Sequence, residues 1–349
     1  MIDIILNNIL PFVIILTILV FVHELGHYLA AIYNGVKVEV FSIGFGKELF
    51  GYTDKYGTRW KFSLIPLGGY VKMHGDLDEA STKKKSADNV NPKVSFHKKS
   101  IAQRSIILFA GPAANFIFSF ILLVFINIFF GLAINKPIVS YVEEDKPAFN
   151  SGIKVGDIIL EVNETKIEEF SQLKEIVLSK NNEKIKVTYS RNNKIKEVFI
   201  DVVDSKIGIR GTVENRKLNF FDSCVKSSLQ LVYFIKATLI GVFEIITGTR
   251  GTDDLGGPIR IAELSGDFWN KGMHSTLWFM MIISLNLGLI NLFPIPMLDG
   301  GHLMFNLFEF INGGPLKEKY LEIAHTFGFV ILISLMLFAT YNDIARFFE

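Results

Sequence analysis

The chain has 349 residues, half of them hydrophobic, with a mean hydropathy of +0.35. That is too apolar for a soluble protein of ordinary balance, and a net charge of +1 supplies no field to attract nucleic acid. Phe outnumbers Trp 32 to 3, which suits apolar helices, and the lone Cys224 excludes an internal disulfide or a cysteine-rich metal site.

In chain order, residues 4–22 are apolar apart from Asn7, Asn8 and Thr17. Asp3 is the only charge before them, so a basic leader is missing, and the run is longer than a signal-peptide core. It reads as a retained membrane helix over 4–33. Three more runs are long enough for a bilayer core, at 106–134, 277–293 and 321–341. Pro294 and Pro296 break the continuation of the third. Residues 36–73 alternate and are punctuated by glycine, the pattern of β-hairpins. Residues 80–91, with Lys83-Lys84-Lys85, read as a linker. The whole stretch 34–104 carries 13 Lys/Arg against 7 Asp/Glu, which puts it on the cytoplasmic side. Residues 137–206 form a soluble insert with four short apolar strands and a helix over 170–179. Residues 220–248 are mostly apolar but carry Asp222, Lys226, Lys236 and Glu244.

Chemistry enters at His23-Glu24-Leu25-Gly26-His27. On a helix, residues four apart share a face, so both imidazoles reach one ion, and Glu24 stands beside them as a base for water. The motif ends an apolar helix, where ionisable groups are costly unless used. A catalytic zinc wants three protein ligands and an open position. The segment Asn291-Leu292-Phe293-Pro294-Ile295-Pro296-Met297-Leu298-Asp299-Gly300-Gly301 offers the third. Its prolines stop the helix and its glycines let the backbone turn, presenting the Asp299 carboxylate at membrane depth. His302 is a competing ligand, read as a neighbour of the site or a surface group. His74, His97, His274 and His325 lack a partner at metal spacing. Gly111 and Pro112 in the second span suit either close packing or a bend.

These motifs resemble the bacterial site-2 proteases, intramembrane zinc metalloproteases that include the regulator of sigma-E protease. The likeness is carried by residues 21–27, Phe41-Ser42-Ile43-Gly44-Phe45-Gly46, Ile65-Pro66-Leu67-Gly68-Gly69-Tyr70-Val71-Lys72-Met73, Ala110-Gly111-Pro112-Ala113-Ala114-Asn115-Phe116 and 286–302, in the family's order. The resemblance implies one zinc ion on His23, His27 and Asp299, with Glu24 as catalytic base. It implies that the hairpin loop, with Gly44, Gly46, Gly68 and Gly69, binds an extended substrate strand, and that Asn286 and Asn291 help to hold it. The insert resembles a PDZ domain through Ser151-Gly152-Ile153-Lys154-Val155-Gly156-Asp157-Ile158-Ile159 and has room for one such domain. Such domains capture peptide ends by strand addition.

The expected fold is a polytopic α-helical membrane protein with four transmembrane helices, a membrane-associated β-hairpin loop and one inserted PDZ-like domain. The expected divisions are 1–35, the first span; 36–104, hairpin and basic linker; 105–135, the second span; 136–206, the PDZ-like domain; 207–276, amphipathic membrane-associated helices; 277–312, the third span and the Asp299 segment; 313–349, the fourth span. Expected partners are single-span membrane substrates, such as clipped anti-sigma factors or remnant signal peptides, a peptide end at the PDZ-like domain, and lipid. The expected place is the bacterial inner membrane, with the insert periplasmic and the active site toward the cytoplasm. For Asp299 to meet the histidines, 220–248 must lie on or dip into the outer interface rather than cross. Rival readings are a catalytically dead scaffold, a transporter with broken helices, and another kind of integral zinc protease. The full set of site residues argues against the first, the absence of an internal repeat against the second, and the Asp299 segment and insert against the third.

Overall fold

The computed structural model describes residues 5–75, 91–251 and 256–346; most of the expected linker at 80–91 lies outside them. Two compact units emerge, one of residues 1–125 and 223–349, the other of 126–222. In the first unit a π-helical turn, Ile5–Ile9, leads into α1, Leu10–Tyr33. Two strands follow, β1 (Val38–Thr53) and β2 (Arg59–Met73), then α2 (Ile101–Phe129), which carries Pro112 without breaking.

The hairpin is bent, and the bend gives β1 neighbours on both sides. Residues 38–43 pair with 69–73 (Phe41 with Val71, Ile43 with Gly69) and also with 59–62 (Phe41 with Trp60). Residues 69–73 thus form an outer edge, covered by β1 on one side only. Gly44 and Gly46 sit at the bend with φ of 88° and 85°, a region side chains disfavour. Phe41, Val38, Val71 and Met73 pack with Tyr28 and Ala31 of α1 and Ile107 of α2. Asp54 in the hairpin turn locks this docking. It accepts from the Tyr28 hydroxyl and the Trp60 indole, both at 2.9 Å, and from the backbone N–H of Tyr56 and Thr58.

The second unit is built on β3 (Leu132–Val142), a short α3 (Pro147–Asn150), β4 (Ile158–Val162), β5 (Thr165–Lys166), α4 (Phe170–Ser179), β6 (Lys184–Arg191), β7 (Lys194–Asp201) and β8 (Ile209–Arg216). The sheet order is β7-β6-β4-β3-β8, with β5 beside β4. Val162, Ile185, Val187 and Ile200 bury one face against Leu173 and Val177 of α4. Asp157, 1% exposed, takes two hydrogen bonds of 2.6 Å from Arg191. The limits 136–206 were drawn too tightly. β3 begins before them and β8 lies after them, because the pairing of β3 with β8 closes the unit and leaves no mark in local sequence. The second span also starts and ends about five residues earlier than 106–134, since Gly131 (φ 83°) turns the chain into β3.

The first unit resumes with α5 (Phe220–Thr247), α6 (Pro258–Asn270), α7 (Met273–Asn291), α8 (Asp299–Asn312) and α9 (Glu318–Ala345). Among the described residues, five helices are long and apolar enough to cross a membrane, and α5 is the one beyond the four expected. Residues 220–248 are one continuous helix rather than several amphipathic ones. Their charges gather toward the ends, leaving Lys236 alone in the apolar middle.

Three helices form the centre. Ile15 and Leu19 of α1 pack with Leu122 and Leu123 of α2 and with Phe279 to Met281 of α7. Further along, His23 meets Asn115, and Ser284 donates to the Asn115 carbonyl. α1 and α7 are therefore parallel, with α2 antiparallel to both. α5 also runs parallel to α7, since Phe234 meets Trp278 edge to face and Thr238 donates to Asn286. The chain must turn back between them. α6 completes that return, with its N-terminal N–H groups of Gly257, Ile259 and Arg260 donating to the buried Asp343 of α9.

Burial alone would raise the Asp54 carboxyl, but the hydrogen bonds it accepts outweigh that and hold it below the usual carboxylate range. Its folded pKa is lowered, so its contribution is present at neutral pH and disappears as pH falls through that lowered value. Asp54→Ala should red-shift the Trp60 emission and lower the unfolding temperature in detergent by about 2–5 °C. Unchanged emission would place the hairpin's anchor elsewhere.

Candidate metal centre

α1 supplies two imidazoles from successive turns. His23 and His27 are 9% and 7% exposed, and their Nε2 atoms lie 3.2 Å apart. Asp299 arrives from the far end of the sequence. α7 stops at Asn291, the chain passes Pro294 and Pro296, and Met297 takes a left-handed φ of 86°. Gly300 and Gly301 then let α8 start against this loop; a Cβ at either would fall 2.2–2.3 Å from the Leu292 or Ile295 carbonyl oxygen. The Asp299 Oδ2 ends 3.2 Å from His23 Nε2 and 3.5 Å from His27 Nε2.

Those separations fit a single ion. A tetrahedral site with bonds of about 2.0–2.1 Å has donor atoms roughly 3.3 Å apart. Among the described residues this is the one group of three acidic, His or Cys side chains that converge in this way. The outer contacts fit as well. His27 Nδ1 lies 2.9 Å from the Ile107 carbonyl, to which it donates when Nε2 serves a metal. Asn115 has its Nδ2 3.0 Å from His23 Nδ1, while its Oδ1 is buried without a hydrogen bond. A ring giving Nε2 to a metal carries its proton on Nδ1. The Asn115 amide rotated by half a turn accepts that proton.

Close helix packing makes this convergence possible. A Cβ on Gly111 would sit 2.2 Å from His27 Nε2, and one on Gly26 would sit 2.2 Å from the Ala110 carbonyl oxygen. Of the two readings of Gly111 and Pro112, close packing is realised at Gly111.

A cavity of about 210 Å³ opens on the three donors. Glu24, Gly69, Tyr70, Asn291, Met297 and His302 are among its walls. The edge 69–73 lies close to Glu24, since a Cβ on Gly69 would be 3.1 Å from the Glu24 Cγ. Of the residues expected to hold substrate, Asn291 and Gly69 line this cavity. Gly44, Gly46 and Gly68 do not; they shape the hairpin bend. Asn286 faces α5 and accepts the Thr238 hydroxyl at 3.0 Å. His302 lines the cavity beside Asp299, with its ring 5.2 Å from His325. Asn115 and Gly26 support the site although neither belongs to the donor set. The signal for Asn115 was an amide in the middle of an apolar helix.

The model of peptidase family M50 matches residues 11–335. The chain belongs to peptidase family M50. Proteins described as zinc metalloproteases share its whole length. One from Agrobacterium fabrum is 35% identical over 364 residues, covering 97% of this chain and 95% of its own. One from Rickettsia conorii is 36% identical, covering 98% and 99%, and one from Campylobacter jejuni is 36% identical, covering 96% and 92%. Among solved structures, a PDZ domain of an SdrC-like protein from Listeria monocytogenes matches at 21% identity and a TM-score of 0.20, covering 24% of this chain and 90% of its own. Family and donor set together make this M50 member a multi-pass membrane zinc metalloprotease of the site-2 type.

Gly111→Ala should push the His27 ring away and cut bound zinc to below about half an equivalent per chain. Asn115→Leu should weaken zinc affinity about 10–100-fold. Wild-type zinc content and affinity in both variants, measured by mass spectrometry and chelator competition, would rule out this packing as the support of the site.

Proposed function

We propose that the protein hydrolyses peptide bonds within or beside the membrane-spanning segment of single-span proteins, at a site formed by His23, His27, Asp299 and Glu24. The observation that carries this reading is the meeting of a three-donor metal site, an acid and an open strand edge around one cavity. A zinc ion bound by His23, His27 and Asp299 supplies Lewis acidity for the attack of water on a carbonyl. Glu24 takes a proton from the attacking water on its carboxylate and returns it to the leaving amine. The edge 69–73 holds the substrate extended by strand addition, because a helical peptide bond is shielded by its own turn. Asn291, on the cavity wall, hydrogen-bonds the substrate backbone. Asn286, which faces α5, acts on the substrate from the α5 side of α7. Gly44, Gly46 and Gly68 serve the substrate indirectly by setting the course of this edge.

The orientation follows from charge and chain direction. The basic excess over 34–104 sets the hairpin and the site on the cytoplasmic side of a bacterial inner membrane, and α2 then leads residues 126–222 outside. α5 enters from that outer side parallel to α7, and the chain returns through α6 to start α7 there. Four helices cross, and α5 dips. Residues 126–222 act as a PDZ-like module that captures a peptide end at the β8 edge. Fitting substrates are anti-sigma factors already clipped outside the membrane, or signal-peptide remnants.

Glu24→Gln tests the central role. It should keep one zinc per chain while cleavage of a single-span reporter in proteoliposomes falls by about 100-fold or more. Equal cleavage by both proteins would remove Glu24 from the chemistry.

A further inference from the structure

Residues 126–222 carry 15 Lys/Arg and 15 Asp/Glu, so this unit has no net charge. A cavity of about 380 Å³ in it is strongly one-sided. Lys146, Lys174, Lys206 and Arg210 line it, and Glu143 is the only acid that does. Among the described residues none of these four cations has an ion-pair partner, whereas Lys180, Lys184, Lys186 and Arg191 elsewhere in the unit do. Arg210 lies over the Tyr141 ring, 5.1 Å from its centre.

Beneath these charges the cavity is apolar. Leu173 and Val177 of α4 and Ile207 form a buried floor, and Ile209 opens β8 beside them. β8 ends the sheet and pairs only with β3, so its other edge is available for a further strand. At one end the groove closes, because Phe170 packs on Gly211, where a Cβ would come within 2.5 Å of the ring. The groove is therefore short, with an open strand edge, an apolar floor and a rim of uncompensated positive charge.

We propose that this groove selects the C-terminal end of an acidic peptide, with an apolar last side chain on the floor and carboxylates facing Lys146, Lys174, Lys206 and Arg210. The inference rests on the reading above that this unit captures a peptide end, and adds the charge of the partner. Charge complementarity at such a rim raises the association rate and discriminates against like-charged partners. An anionic lipid surface is a poorer match, since these cations surround a recess with a buried floor and not a flat face.

The test uses the full chain in an uncharged detergent and fluorescence anisotropy of three labelled decapeptides. One ends in three acidic residues and valine, the second replaces the acids by glutamine, and the third by lysine. The acidic peptide should bind about ten-fold or more tighter than the glutamine peptide, and the lysine peptide weakest. The preference should collapse in about 0.5 M salt and in Lys174→Glu/Lys206→Glu. It should persist in Lys196→Glu, an exposed β7 residue away from the cavity. Equal binding of all three peptides would overturn the charge selection and leave peptide capture standing. Failure of every peptide to bind would overturn capture itself, and the inference with it. Anisotropy of the acidic peptide abolished by anionic lipid at equal charge concentration would assign the rim to lipid and also overturn it.

Discussion

Three ligand atoms from two distant segments are held 3.2–3.5 Å apart where apolar helices surround them. Two imidazoles and a carboxylate would be expensive guests in a bilayer unless they served a cation. The rest of the first unit follows from keeping them together. α1 and α2 approach closely enough for a glycine at 111 to lie against the His27 ring, and Asn115 and the Ile107 carbonyl fix both rings from the same helix. α7 must run parallel to α1 and then break, so that α8 opens with Asp299 at the same depth. The broken backbone is stabilised by glycines that no side chain can replace without striking a carbonyl. Gly328 of α9 completes the fit, since a Cβ there would lie 2.1 Å from the Pro296 oxygen.

In the proposed function, the hairpin adds a substrate edge to the metal site. Its aromatic layer of Tyr28, Phe41 and Trp60 presses it on α1, with Phe41 and Trp60 stacked at 4.2 Å and Asp54 tying the turn to the helix. That docking brings the outer edge 69–73 to Glu24. The same edge is where an extended chain gains backbone hydrogen bonds that a membrane interior otherwise denies it. On that proposal, binding and cleavage fall on adjoining rigid elements, which is what a reaction on an unwound segment requires.

Much of this was legible because the chemistry is local. His23 and His27 share a helix face by spacing alone, and the prolines and glycines around Asp299 announce an interrupted helix. The hairpin showed in its alternation, and the resemblance to site-2 proteases joined the pieces. Features set by long-range pairing were less visible. The strand β8 pairs in the sheet with β3, some 70 residues earlier, so 136–206 was too narrow. α5 carries four charges that suggested amphipathic surface helices, yet three of them lie toward its ends and only Lys236 interrupts the apolar middle. The contact of Asn115 with His23 spans 92 positions and depends on the α1–α2 crossing. Asn286 and Asn291 looked equivalent in sequence. Five residues turn them to different faces of α7, one toward the cavity and the other toward Thr238.

The claim that α1 and α8 jointly hold one ion is tested most directly by zinc X-ray absorption on Asp299→Cys. With Asp299 as the third ligand, the loaded variant should show one sulfur scatterer at about 2.3 Å beside two imidazoles. A spectrum of nitrogen and oxygen neighbours alone, in a variant that still binds zinc through its histidines, would contradict the account.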